Sequence, residues 1–256
     1  MSAKQITVLP LGLRVSIRQA VFDAVTASPV LGLARSAEDA DVLLVDACAP
    51  GTDDLPADLP PLPRIVLSVP AADRAPAGSF AAEVAVREAG ATGSPHRWCV
   101  LRCAAFGEEL AWSVQYETAG AFYTAWQPAG APWVAAADVV ELVGRLVTEP
   151  DRWQAAYDVT GPATVAMAEV SELLHGLHDR PMPYVRLDEE SLVSAMEQVG
   201  FAPDYAARRA GYMVWTTSAP GRPEVSSLPA EALGRPAVPL ADYLLTAARS
   251  TLADAH

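Results

Sequence analysis

Two short runs constrain this chain most: Asp41-Val42-Leu43-Leu44-Val45-Asp46 and Arg64-Ile65-Val66-Leu67-Ser68-Val69. Neither alternates apolar with polar residues. Each therefore reads as a strand buried on both faces, the place of a central strand in a parallel sheet. Such strands need helices above and below, and the flanking sequence supplies them. Gln5-Ile6-Thr7-Val8-Leu9 is a further apolar run, Pro10-Leu11-Gly12 reads as a turn, and Val15, Ile17, Val21, Phe22 and Val25 follow near helical spacing. Pro29 to Arg35 reads as a second strand, Phe80 to Glu88 as a helix and Trp98 to Arg102 as a strand. Strand and helix alternate, which predicts an α/β fold: a Rossmann-like parallel sheet with helices on both faces.

The second half continues with helices over Asp138–Val147, Met167–Leu177, Glu189–Val199, Pro203–Trp215 and Leu240–Leu252. Short strands are expected at Ala156–Val159 and Pro183–Leu187. Residues 49–63 are rich in Pro, Asp and Gly and read as a loop. The expected organisation is a core over 1–160. Residues 161–256 mainly form a small C-terminal substrate lobe, with elements returning to the core in one structural unit.

Composition narrows the function. The 256 residues carry a net charge of −13, which argues against nucleic acid and anionic membranes as partners. No apolar run approaches the roughly 20 residues that span a bilayer. Met1-Ser2-Ala3-Lys4 leads into a strand instead of a signal sequence, which points to the cytoplasm. Cys48, Cys99 and Cys103 have no metal or disulfide spacing and read as buried thiols. His175 and His178 have HxxH spacing at a helix end with too few further ligands, so no metal is expected. Lys4 is the only lysine and asparagine is absent, a pattern of GC-rich bacterial genomes.

Trp133-Val134-Ala135-Ala136-Ala137-Asp138-Val139-Val140-Glu141, Tyr157-Asp158-Val159-Thr160-Gly161-Pro162, Pro181-Met182-Pro183-Tyr184-Val185 and Gly234-Arg235-Pro236 occur in an order that resembles the NmrA-like group of atypical short-chain dehydrogenases. Ile65–Ser68 and Val100–Phe106 fit the same order. The resemblance covers most of residues 64–250 and implies a Rossmann-type domain with a substrate lobe. Three departures stand beside it. The G-x-x-G-x-x-G positions of that group fall at Pro10, Leu13 and Ser16, leaving Gly12 as the turn's glycine. Arg35 and Asp41 are five residues apart, too close for the strand and helix that the group places there on the adenine side, so the sheet is expected to be shortened at one edge. The Tyr-x-x-x-Lys dyad positions hold Ser79 and Glu83.

These departures favour a cofactor-independent enzyme: an acid–base cyclase, dehydratase or isomerase acting on a small aromatic, polyketide-like molecule, with no nicotinamide cofactor. Two alternatives are an NAD(P)H-dependent reductase with a remodelled phosphate loop, using Gly12, Arg14 and Arg35, and a non-catalytic sensor or regulator. The sequence also leaves a homodimer open. Asp46 and Ser68 end two buried strands at the edge where α/β ligands bind. Asp46 reads as a general acid or base, or as a capping carboxylate; Ser68 reads as a group orienting a carbonyl, or as a turn hydroxyl. Tyr123 is the candidate proton donor. Phe106, Glu109, Trp112, Tyr116, Trp126, Tyr205, Arg209, Tyr212 and Trp215 are candidates for a pocket wall, and aromatic residues at helical spacing equally suit a core. Glu108 and Glu109 also suit the first turn of a helix, where carboxylates complement the dipole.

Overall fold

A computed structural model describes residues 5–49, 59–114 and 120–253. Six strands form one parallel sheet: β1 (Ile6–Leu11), β2 (Leu31–Leu33), β3 (Val42–Asp46), β4 (Arg64–Ser68), β5 (Trp98–Cys103) and, after a three-residue β6 (Phe122–Thr124) outside that sheet, β7 (Ala155–Val159). Their order is β2-β1-β3-β4-β5-β7. The chain leaves β1 in one direction to make β2 and then crosses back to make β3. The C-terminal ends of β1 and β3 are therefore the switch point of the sheet, the crevice where open α/β sheets bind ligands.

The helices pack on both faces. On one face α1 (Val15–Ala27) buries Ile17, Val21 and Val25, which lie four residues apart on one stripe. They meet Val139, Leu142, Val143 and Leu146 of α4 (Ala136–Leu146) over Val42, Leu44, Ile65, Leu67 and Leu101 of the sheet. On the other face α2 (Phe80–Thr92) covers Val66 and Val100 with Ala81 and Val84. The same core takes in α5 (Met167–His178) and α7 (Pro203–Thr217). Alternate residues of β4 and β5 feed the two cores and every residue of β3 is buried, which is why these runs show no polar period. Each fully buried Val, Leu or Ile contributes about 1.5–3 kcal/mol.

The first turn differs from the expectation. β1 runs on to Leu11, with Pro10 in register with Leu44, and the turn falls at Gly12, whose φ is +63°. The reason lies in the ladder. Even-numbered residues of β1 direct their amides toward β2, as Ile6 does to the Val30 carbonyl at 2.9 Å. β2 stops at Leu33, so the amide that Pro10 lacks leaves no ladder bond unmade.

Only a 3₁₀ turn over Ala37–Asp39 lies between β2 and β3, so the sheet ends one strand early at that edge, as the spacing of Arg35 and Asp41 requires. The sequence disclosed neither the short strand β6 nor the helix over Leu228–Leu233, whereas its expected strand at Pro183–Leu187 and helices over Glu189–Val199 and Leu240–Leu252 are present. α3 (Gly107–Val114) follows β5, and β6 pairs in parallel with β8 (Tyr184–Arg186). α6 (Glu189–Gln198) precedes α7, and a short α8 (Leu228–Leu233) precedes α9 (Leu240–Ala253). Gly161, in the Gly-Pro motif after β7, lies so close to the Trp133 carbonyl that a Cβ would sit 1.9 Å from its oxygen. Among the described residues no helix is long and apolar enough to cross a membrane.

Candidate active site

At the switch point a small cleft opens between the head of α1 and α7. Its floor is a cluster of four buried charges. Asp46, fully buried at the end of β3, accepts hydrogen bonds through Oδ2 from the Arg14 backbone amide at 3.1 Å and from Arg14 Nε at 2.9 Å. Its Oδ1 accepts from the Cys48 amide at 3.0 Å. Glu109 of α3, also fully buried, accepts from Ser16 Oγ at 2.7 Å and from Arg209 Nη1 at 2.5 Å. Arg209 further donates to Ser113 Oγ at 2.8 Å. Two arginines and two carboxylates balance, which is the condition for keeping such charges away from water.

Arg14 is the centre of this cluster. Its guanidinium carbon lies 5.2 Å from the Phe106 ring centre and 4.8 Å from that of Tyr212, between two aromatic faces. Burial opposes the charge, but Asp46, Cys48, Tyr212 and Glu109 outweigh it and raise its pKa, so Arg14 stays cationic. Its Nη1 is buried, 3.6 Å from Glu109 Oε1, and makes no hydrogen bond. Burial likewise opposes the charge of Glu109, yet Arg209, Arg14 and Ser16 hold its pKa below the usual carboxylate value. Glu108 behaves oppositely. Burial pushes its pKa up to about 7, against the bond that its Oε1 accepts from the Ala136 amide at 2.9 Å.

Local sequence explains the position of α1. Arg14 is its N-cap and makes no side-chain cap, and no acidic residue lies in its first turn. The head of the helix is instead capped from β3 by Asp46 and faced by Glu109 from α3, which suits the positive end of its dipole.

Of the sequence candidates, Arg14, Glu109, Tyr205, Arg209 and Tyr212 line the cleft, and Phe106 lies beneath Arg14. Tyr205 stacks on Phe201 at 5.4 Å. The Tyr212 hydroxyl accepts from the Phe106 amide at 3.3 Å, and burial pushes its pKa far up.

The three candidate catalytic residues do not converge. Asp46 follows Val42 and Leu44 on the α1 face of the sheet, whereas Ser68 follows Val66 on the α2 face and donates to Glu88 Oε2 at 2.5 Å. Two-residue strand periodicity separates them. Tyr123 is 39% exposed on β6, while Phe122 and Thr124 beside it point inward. Trp126 is core, 5.1 Å from Trp133 edge to face. Trp215 donates to the Pro70 carbonyl at 2.9 Å. Arg35 is exposed beyond β2 and Gly12 forms the turn. Trp112 lies on α3 without a described side chain, and Tyr116 is outside the described residues. Sequence reasoning missed Val15, Ser16 and Cys48 as lining residues. Ser16 was discoverable, since it occupies the last glycine position of the group's turn.

No protein-family model matches the chain. The NAD(P)H azoreductase of Xenophilus azovorans is 31% identical over 87 residues, 34% of this chain and 30% of that protein, so the match spans less than a third of that relative. Among solved structures, the NADPH-dependent quinone oxidoreductase QOR2 of Escherichia coli, complexed with NADPH, aligns over 93% of this chain and 98% of its own, with a TM-score of 0.73 and 17% identity. Citrobacter sp. triphenylmethane reductase, complexed with NADP(H), aligns over 96% and 100% with a TM-score of 0.64 and 13% identity. The chain thus shares its fold with these solved structures, the Rossmann-type fold that the resemblance to the NmrA-like group implies.

These relatives correct the functional expectation. The altered turn, shortened edge and missing lysine favoured a cofactor-independent acid–base enzyme with no nicotinamide cofactor. The named relatives are reductases, two of them complexed with NADPH or NADP(H) and the third named for NAD(P)H. The loss of glycines changes how a turn meets a phosphate, and it is no measure of whether one binds.

Proposed function

We propose that this protein is an NAD(P)H-dependent reductase of a small, planar aromatic acceptor. The observation that carries the reading is Arg14. A buried arginine stands at the head of the switch-point helix and lines the cleft, and its Nη1, 3.6 Å from Glu109 Oε1, makes no hydrogen bond. That is a donor set for an anion, and a dinucleotide brings a diphosphate to this edge of the sheet. The residues therefore fit the phosphate end of the cofactor. Gly12 supplies the left-handed turn, Arg14 and the first amides of α1 would hold the diphosphate, and Arg35 beyond β2 would favour the 2′-phosphate of NADPH. The bound nicotinamide supplies a hydride. Tyr205 and Tyr212 give the cleft aromatic walls, which suit a conjugated ring system. The names of the relatives, for quinone, azo and triphenylmethane compounds, support that class of acceptor.

Titration with NADPH and NADH, followed by fluorescence and melting temperature, tests the reading. Micromolar NADPH affinity and NADPH oxidation in the presence of a quinone or azo dye are expected. No saturable binding up to millimolar NADPH overturns it.

A second reading is a protein that binds the dinucleotide without turnover. It is favoured by Ser79, which caps α2 by accepting from the Ala82 amide, and by Glu83, which pairs with Arg87 and Arg208. Neither stands as a proton donor. NADPH binding without oxidation by any acceptor would select this reading.

A further inference from the structure

The cleft lies at the head of α1, and a second, larger depression lies at its other end. A groove of about 400 Å³ runs between the C-terminal half of α1 and α4, with Ala24, Ala27, Val140 and Gly144 in its lining. Small residues on both helices keep it open, and Ala27 and Val30 are exposed there. Along its α4 side stand Ala137, Glu141, Arg145 and Thr148, each exposed or half-buried. Steps of four and three residues place them on one ridge of the helix.

The two charges of this ridge are opposite in sign and four residues apart, the spacing and order that favour a pair within one helix. They do not pair here. Glu141 turns to Arg235, whose Nη2 donates to its Oε2 at 2.5 Å, and its Oε1 accepts no hydrogen bond among the described residues. Arg145 makes no side-chain hydrogen bond or ion pair with the described residues. A ridge with this pattern is complementary to itself. When two copies of α4 lie antiparallel about a two-fold axis level with Val143, Glu141 of each meets the partner's Arg145. The ridge of each copy then lies in the groove of the other, as helix ridges pack into grooves.

We propose that this groove is the contact surface of a homodimer, filled by α4 of a second copy packed antiparallel about a two-fold axis. Charge is the reason for choosing a second copy. Each chain carries −13, so two copies repel unless opposite charges are set face to face where they touch. One ridge supplies both signs at the required separation. The groove shares no lining residue with the ligand cleft, so the dimer stands apart from the reductase reading.

Sedimentation velocity of the full chain between about 1 and 100 µM tests the proposal. The parent is expected to form a dimer in this range. Arg145→Glu sets carboxylates against each other on both sides of the axis, and Glu141→Lys does the same with cations. Each variant alone is expected to dimerise at least about tenfold more weakly. An equimolar mixture of the two is expected to regain the dimer, because each supplies the charge that the other lacks. Ala27→Trp fills the groove without changing charge and is expected to be monomeric. Arg145 and Ala27 are exposed, so these two variants should keep the parent's melting temperature, and they carry the decision alone if Glu141→Lys, which also loses Arg235, does not fold. A parent that stays monomeric up to about 100 µM overturns the proposal in favour of an occupant other than a second copy. A dimer that survives Arg145→Glu and Ala27→Trp, or a mixture of folded charge variants that stays monomeric, overturns it as well.

Discussion

Glu109 and Glu108 are sequence neighbours with opposite fates, and the difference is who faces them. Glu109 meets Arg209, Arg14 and Ser16 and stays ionised, while Glu108 meets one amide, and its Oε2 has no hydrogen-bond partner. Arg209→Met would leave Glu109 buried beside an arginine already committed to Asp46. A loss of about 3–5 kcal/mol is expected in denaturant unfolding. Glu108 predicts a pH dependence. Its folded pKa, about 7, lies above the usual carboxylate value, so the folded state holds a proton that the unfolded state has released. The stability tied to this group is full below about pH 4.5 and lost as pH rises through about 7, by up to roughly 3 kcal/mol. Glu108→Gln should flatten the stability profile between about pH 5 and pH 8 and be more stable than the parent at the upper end. A parent whose stability rises across that window, with the variant following it, would contradict this assignment. None of these pairings could be read from the sequence. Arg209 and Glu109 are 100 positions apart and Arg14 and Asp46 are 32 apart, and nothing local marks one carboxylate as a partner of one arginine.

Elements were far more legible. The unalternating runs of β3 and β4 and the four-residue stripe of α1 follow directly from what a doubly covered sheet demands. Only the first turn of α3 was legible, from Glu108 and Glu109, because the rest lies in an aromatic stretch whose spacing serves a core or a pocket equally. That ambiguity also explains Trp126, which packs on Trp133 and Phe122 instead of a ligand. β6 and β8 were illegible as a pair, since three-residue strands carry too little pattern to show a partner. Two substitutions test the element-level account. Leu101→Ala, in β5 between β4 and β7, should cost about 2–5 kcal/mol by chemical denaturation. Gly161→Ala should be worse than its size suggests, because its Cβ would meet a backbone oxygen that cannot rotate away. Little folded protein is expected at 37 °C, and a wild-type melting temperature would refute the close approach.

At the scale of the molecule, charge and site are opposed. The chain carries −13, while Arg14, Arg208 and Arg209 meet at the cleft with Glu109 as its lining carboxylate. An anionic ligand is repelled at long range and held only at short range. Salt screens the long-range part first. The association rate of NADPH should therefore rise with ionic strength between about 10 and 150 mM in stopped-flow fluorescence. A rate that falls across this range would show that the local arginines dominate the field. The shortened edge acts at this scale too: with a 3₁₀ turn in place of a strand and helix beyond β2, the adenosine half of a dinucleotide would meet fewer walls. Binding would then depend more on the phosphates.

The capping of α1 has a consequence in time. A helix that carries its own cap can close its first turn as soon as it forms. The head of α1 waits for a carboxylate delivered by β3, and α4 waits in the same way for Glu108. Both helix heads are thus completed only when distant elements, β3 and α3, have docked, which places them late on the folding path. In hydrogen-exchange labelling during refolding, the first-turn amides of α1 and α4 should gain protection after the middles of the same helices. Assembly would run from the sheet outward, and the ligand cleft would be among the last parts of the molecule to exist.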